Sequence, residues 1–218
     1  TRKIYLKKVS MKLAEEGKIF ILPLTVATVI SFWIYESYST SVFVPLILVS
    51  LLLFCLNFFR DPTRRVAKRD NVIVSPADGK IIRMEKIIDP ELGPCNVVSI
   101  FLSIFNVHVN RMPISGKFLD VKYIKGKFLM AFDHEACDLN ERNTITISTK
   151  AGDIKMIQIA GLLARRIICY ADKNNSMQIG DRIGFMRFGS RVDLILPQEI
   201  SLEIEINQKV IGNQTVIG

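Results

Sequence analysis

The run Met186-Arg187-Phe188-Gly189-Ser190-Arg191-Val192-Asp193-Leu194-Ile195-Leu196-Pro197 holds a Gly-Ser peptide among apolar residues that alternate as a strand's do. A serine hydroxyl held against the preceding carbonyl can take over its acyl group, an N-to-O shift that opens the backbone. Glycine on the acyl side has no Cβ to block the approach and accepts dihedrals that other residues resist. Alone, such a pair is common in turns and bulges, so chemistry at Ser190 needs a base and a group to orient that base. The chain has 2 histidines. His108 lies in Phe105-Asn106-Val107-His108-Val109-Asn110-Arg111-Met112-Pro113, where strict alternation sets it with Asn106 and Asn110 on the face opposite Val107 and Val109. His134 lies in Phe132-Asp133-His134-Glu135, inside a charged stretch from Phe128 to Asn143. Either can serve as acid or base near neutral pH without tuning. Asp78, in Ser75-Pro76-Ala77-Asp78-Gly79-Lys80, could orient a histidine or hold a proton, although Asp-Gly is also a hairpin-turn signal. In Gln158 through Ile167 an apolar turn precedes Arg165 and Arg166, and arginine suits bidentate recognition of phosphate.

These residues need elements to hold them, and the sequence divides into two kinds. Ile19 to Tyr35 and Val42 to Phe59 carry no charge, and each is near the lower length limit for a membrane-spanning helix. Arg2, Lys3, Lys7, Lys8, Lys12 and Lys18 lie before the first run, and Arg60, Arg64, Arg65, Lys68 and Arg69 lie after the second. The link Glu36 to Ser41 has one acid and no base. That charge pattern predicts a helical hairpin with both ends on the cytoplasmic side, and Trp33, Tyr35 and Tyr38 sit where an interfacial aromatic belt would. Pro23 and Pro45 inside the runs leave open a hairpin that dips into the membrane without crossing it. The second run ends in a charged Phe-Phe-Arg-Asp-Pro stretch without a small-residue cleavage site, which argues against a removed signal peptide.

After Arg69 the composition changes to short β-rich runs separated by Gly, Pro and Asn turns, which predicts a compact, mainly β (α+β) domain over residues 70–218 behind a basic, membrane-associated hairpin over 1–69. The expected strands are Val72–Val74, Lys80–Ile82, Val97–Ile104, Val107–Val109, Gly116–Ile124, Thr144–Ser148, Ile154–Ile159, Arg166–Tyr170, Arg191–Leu196 and Leu202–Ile206. A net charge of +8 favours an anionic partner, membrane surface or nucleic acid. The basic residues flank apolar runs and no platform of alternating aromatics appears, so nucleic acid is set aside. Cys55, Cys95, Cys137 and Cys169 form no C-x-x-C pair, which suggests reduced, structural cysteines and no metal site.

In chain order, Phe59-Arg60-Asp61-Pro62, Ser75 through Ile81, Phe105 through Pro113, Gly126-Lys127-Phe128-Leu129, Asn140-Glu141-Arg142-Asn143, Gln158-Ile159-Ala160-Gly161 with Ala164-Arg165-Arg166-Ile167, and Arg187 through Asp193 resemble phosphatidylserine decarboxylases of the short, prokaryotic type. The resemblance covers roughly residues 58–197 and implies a self-made cofactor. Ser190 would attack the Gly189 carbonyl, and β-elimination of the ester would leave a pyruvoyl group at residue 190 on a small chain, with residues 1–189 as the large one. The amine of phosphatidylserine would form a Schiff base with that ketone, lose CO2 and leave as phosphatidylethanolamine. Asp78 matches the family's processing aspartate, and His108 the first histidine of a region that reads His-x-x-His-Met-Pro in longer forms. Arg111 stands at the second histidine position, so the group that activates Ser190 is His108 or, from its loop, His134. Arg111, Arg187 and Arg165 are candidates to meet the substrate's anionic headgroup. Implied partners are phosphatidylserine, an anionic phospholipid membrane and the two chains of one proenzyme, with a homodimer allowed for. Two rival readings stand beside this: a decarboxylase of an archaeal-type serine ether lipid, and an uncleaved membrane-tethered β module, since the Ser-Pro-Ala-Asp-Gly turn also resembles sugar-phosphotransfer and lipoyl-type domains.

Overall fold

The structure, a computed structural model, describes residues 11–69, 71–126, 139–161, 167–187 and 189–218. It forms two compact units, Thr1–Thr63 and Arg64–Gly218.

In the first unit, α1 (Lys18–Tyr38) and α2 (Phe43–Phe58) follow the two uncharged runs. At 1.5 Å per residue, the 21 residues of α1 extend about 31 Å, enough for a hydrocarbon core, whereas the 16 of α2 reach only about 24 Å. The second uncharged run therefore gives a shorter helix than its length as a string suggested: Val42 is the cap and Phe59 has left the helix. Hydroxyls inside the helices bond their own backbone, Thr25 Oγ1 to the Ile21 carbonyl and Thr28 Oγ1 to the Leu24 carbonyl, both at 2.7 Å. Those bonds satisfy the two hydroxyls without water. A short ladder closes the unit: β1 (Met11–Leu13) runs antiparallel to β2 (Arg60–Pro62), with Leu13 opposite Arg60. Beside it the Ala14 amide donates to the Phe59 carbonyl at 2.7 Å.

The second unit is built on one antiparallel sheet. Its strands are β3 (Gly79–Asp89), β4 (Gly93–Leu102), β6 (Gly116–Ile124), β7 (Arg142–Thr149), β8 (Gly152–Ile159), β10 (Ser176–Met177), β12 (Ser190–Pro197) and β13 (Lys209–Val210). Their order is β10-β6-β7-β8-β12-β4-β3-β13. Three more strands, β5 (Val109–Arg111), β9 (Ile167–Cys169) and β11 (Arg182–Met186), form a second sheet in the order β5-β11-β9. The registers Val192 with Ile100, Val192 with Gln158, and Leu194 with Val98 and Met156 put alternate residues of the central strands on one apolar face. That face, with Phe118, Ile145, Ile147, Ile183 and Met186, is the core.

Most of the expected strands appear, and the differences have local causes. Val72–Val74 contributes a single bridge, Val74 to Val216. Leu202–Ile206 forms no strand: Glu203 donates to Ile217 and Asn207 to Ile81, so its backbone bonds go to different segments and no ladder builds. β3 runs to 11 residues, well beyond Lys80–Ile82, because its charged residues Arg83, Glu85 and Lys86 pair along β4.

Candidate active site

Gly189 and Ser190 stand at the entry of β12, the strand that pairs with β4 on one side and β8 on the other. Gly189 has φ of +67°, and a Cβ built there would touch nothing, so the left-handed backbone rather than crowding calls for glycine. Ser190 is fully buried, and its Oγ has no hydrogen-bond partner among the described residues. It shares the core face with Val192 and lies opposite Leu102. A buried hydroxyl without a partner costs free energy, so its retention invites a chemical explanation.

The chain beyond Leu102 leads to His108. A turn forms at once: the Ser103 amide and hydroxyl donate to Asn106 Oδ1 at 2.9 and 2.7 Å, and the Asn106 amide donates back to the Ser103 carbonyl. His108 follows, fully buried, with Nδ1 3.0 Å from the Asn106 carbonyl oxygen. A carbonyl only accepts, so Nδ1 carries the proton and Nε2 is the basic nitrogen of the neutral ring. The alternation read from sequence set His108 on a polar face with Asn106 and Asn110. The Ser103 turn and the Met186 amide, which donates to the His108 carbonyl at 3.1 Å, bury it instead. That bond ties His108 to the residue three before Gly189.

Asp78 approaches from the other side of β4. Lys80 pairs with Phe101, so Asp78 lies immediately before β3, about two strand spacings, roughly 10 Å, from Ser190 across Leu102. Its carboxylate does not serve its own Asp-Gly turn. Arg64 holds it in a fork, Nη1 to Oδ1 and Nη2 to Oδ2, the second at 2.7 Å, and the Gly212 amide donates to Oδ1 at 2.9 Å. The same loop is anchored to β5 by the Arg111 amide, which donates to the Pro76 carbonyl at 2.8 Å. The structure thus brings Ser190, His108 and Asp78 to one end of the large sheet.

The arginines are less concentrated. Arg111 is half-buried and donates from Nη1 to the Gly180 carbonyl at 3.2 Å, on the opposite side of β5 from Asn110. Arg187 is half-buried between β11 and Gly189. His134 and Arg165 lie outside the described residues. A cavity of about 580 Å³, lined in part by Val66, Val72, Ile114, Lys150 and Ile179, opens at the Thr149 end of β7. Ser190 is at the Arg142 end of that strand, about 23 Å away by strand rise, so this cavity is not the site.

Two features escaped the sequence reading. Arg64 appeared only as one of the basic residues beyond the hairpin, yet it is the cation on Asp78. A chain of buried amides crosses the core face: Asn143 Nδ2 donates to Gln158 Oε1 at 3.3 Å, and Gln158 Nε2 donates to Asn110 Oδ1 at 2.8 Å. The available signal was a glutamine at a core-phase position of an otherwise apolar strand.

Comparison with known proteins bears on what this site does. A family model described as phosphatidylserine decarboxylase matches residues 51–218. A protein of Chlorobium chlorochromatii named phosphatidylserine decarboxylase proenzyme is 46% identical over 171 residues, covering 78% of this chain and 81% of the relative. Proteins of the same name from Citrifermentans bemidjiense and Geobacter sp. (strain M21) are 42% and 41% identical over 209 residues, 94% of this chain and 95% of each relative.

Proposed function

The chain belongs to the phosphatidylserine decarboxylase family, which makes it a carboxy-lyase, and from that membership we propose that it is a proenzyme cutting itself between Gly189 and Ser190. Its product chains would be residues 1–189 and 190–218. The mature enzyme would release CO2 from phosphatidylserine and leave phosphatidylethanolamine, a step of phospholipid synthesis. The observation that carries this reading is the buried, unpartnered Ser190 hydroxyl, one residue after a left-handed Gly189 and at the same end of the sheet as His108 and Asp78.

The chain's own groups supply the opening step. His108 Nε2 takes the proton of Ser190 Oγ. The oxygen attacks the Gly189 carbonyl carbon, and the carbonyl oxygen takes up the charge. Collapse breaks the C–N bond and returns a proton to the Ser190 nitrogen, giving an ester. Loss of the Ser190 α-proton and departure of the Gly189 carboxylate give dehydroalanine, which water converts to a ketone with release of ammonia. Residue 190 fits this precursor role, because its side chain is enclosed and has no hydrogen-bond partner among the described residues. The pyruvoyl group so made supplies an electrophilic ketone and a sink for the electron pair that CO2 leaves behind. Asp78 is held in place by Arg64, and Arg111, Arg187 and Arg165 are the arginines assigned to meet an anionic headgroup. His134 is the second choice of base. The hairpin, with α1 long and apolar enough to cross a bilayer, and the basic residues at both its ends suit a membrane enzyme whose decarboxylase domain faces the cytoplasm.

Intact-mass measurement of purified protein tests the reading. Two chains should meet at Gly189 and Ser190, the smaller refractory to Edman chemistry, and Ser190→Ala and His108→Ala should each leave one chain. Active protein consisting of one uncut chain overturns it.

A further inference from the structure

Asn110 ends the buried amide chain, and its two polar atoms are treated differently. Oδ1 accepts from Gln158 Nε2 at 2.8 Å, while Nδ2 has no hydrogen-bond partner among the described residues, although Asn110 is fully buried. Gln158 cannot turn its carbonyl toward Asn110 without giving up Asn143, which donates to Gln158 Oε1. The network therefore fixes which end of the Asn110 amide is left over, and it is a donor.

The place of that donor follows from register. Gln158 is opposite Val192, and Val192 shares its face with Ser190, two residues and about 7 Å along the same strand. Gly184 lies opposite Asn110 on β11, and a Cβ there would come within 2.7 Å of Gln158 Nε2, so the bare backbone makes room for this amide pair. The free N–H donor thus reaches, through Gln158, the same buried core face that carries the Ser190 hydroxyl, one strand over and two residues along from it. A buried donor without an acceptor is destabilising, and its persistence on the face that carries Ser190 is what an acceptor that exists only during reaction would require.

We propose that Asn110 Nδ2 is the oxyanion donor of self-cleavage. When Ser190 Oγ adds to the Gly189 carbonyl, the electron pair of the C=O bond moves to oxygen, and Asn110 Nδ2–H bonds that oxygen until the C–N bond breaks and the C=O re-forms. The proposal rests on Gly189–Ser190 being the cleaved peptide.

The test follows the rate of cleavage of the full chain by gel and intact mass, with hydroxylamine as a reporter of the step affected. Hydroxylamine attacks the Gly189 ester, giving a Gly189 hydroxamate and a free Ser190 amine, and leaves the amide untouched. Asn110→Asp keeps the size and the acceptor for Gln158 but lacks the donor, and Asn110→Leu removes both. Each should slow cleavage roughly 100-fold, the effect of losing one such donor, with the accumulated chain resistant to hydroxylamine and its melting temperature measured alongside. Cleavage of Asn110→Asp or Asn110→Leu at the normal rate overturns the proposal, as does an accumulated chain that hydroxylamine cuts at residue 189, since the shift would then have occurred without the donor. Ser190→Ala separates the two claims: if that variant still cleaves, the assignment of the scissile peptide fails, and if it is blocked while Asn110→Asp cleaves normally, only the role of Asn110 fails.

Discussion

Asp78 shows how far one residue's role depends on its neighbours. Both carboxylate oxygens are engaged by Arg64, and the side chains are 12% and 17% exposed, so the pair is largely out of water. Removing one member of such a pair leaves an uncompensated charge, which costs more than the pair itself contributes. Arg64→Ala should therefore destabilise the protein by roughly 2 kcal/mol, below the range for a fully buried pair because some water reaches it. It should also slow self-cleavage by displacing the carboxylate. Arg64→Lys should recover part of both, since lysine restores the charge without the fork. Denaturant titration and the time course of cleavage check this. Ser190, Gly189, Asp78 and His108 stood out in the sequence as candidates because each sits in a distinctive local run. Arg64 did not, because it lies 14 residues before its partner and among basic residues whose pattern already had a membrane explanation. Asn110 was visible as the polar neighbour of His108, but its orphaned donor depends on a contact with Gln158, 48 residues away.

At the scale of elements, the sheet has a second polar face that the sequence did not announce. Opposite the core, Arg191 is fully buried and bonds Asp193 through Nε and Nη2 at 2.6 and 2.9 Å, with Nη2 also 2.7 Å from Ser99 Oγ. Farther along the same face Lys155 Nζ lies 2.6 Å from Asp89 and 3.0 Å from Glu91. Burial works against the charge on Asp89, but the Lys155 hydrogen bond and the amides of Glu91 and Leu92 outweigh it and hold the carboxyl below its ordinary 3.8. Burial likewise opposes the charge on Lys155, and Asp89 and Glu91 raise it above 10.5 nonetheless. A carboxyl lowered by folding contributes stability above its unfolded range and loses it as pH falls. An amine raised by folding contributes below its unfolded range and loses it as pH rises. The pair should therefore stabilise evenly from about pH 5 to 9. Lys155→Met should cost roughly 3 kcal/mol in that window, and the gap from the parent protein should close below about pH 4 as Asp89 takes a proton. Urea titrations at pH 3, 5, 7 and 9 measure it. The strands carrying these groups were read from β-branched runs and turn residues. A lysine and two acids inside such runs look like a solvated face until register brings them together.

For the whole molecule, the first unit leaves a large apolar surface uncovered. Ile19, Leu22, Val29 and Trp33 on α1 and Phe43, Ile47 and Leu53 on α2 are each between 59% and 71% exposed. Surface of that kind is stable only against lipid or another apolar partner. The full chain should float with anionic phospholipid vesicles and stay bound in 1 M salt, where screening acts within about 3 Å and a purely electrostatic attachment is stripped. Release at high salt would mean that the basic residues alone hold it.

The position of β12 bears on reversibility. The strand is stitched to β4 from Ser190 to Pro197 and to β8 from Arg191 to Ile195. If the chain is cut before the strand's first residue, as proposed, one polymer becomes two while these ladders hold the pieces together. Before such a cut, an unfolded molecule can return to the same structure by itself; afterwards the segment that begins at Ser190 would have to find its slot between two strands of a separate chain. Refolding would then depend on concentration, and a mature two-chain protein would persist by the slowness of its unfolding. Cleavage that creates a reactive end would also erase the molecule's route back from denaturation.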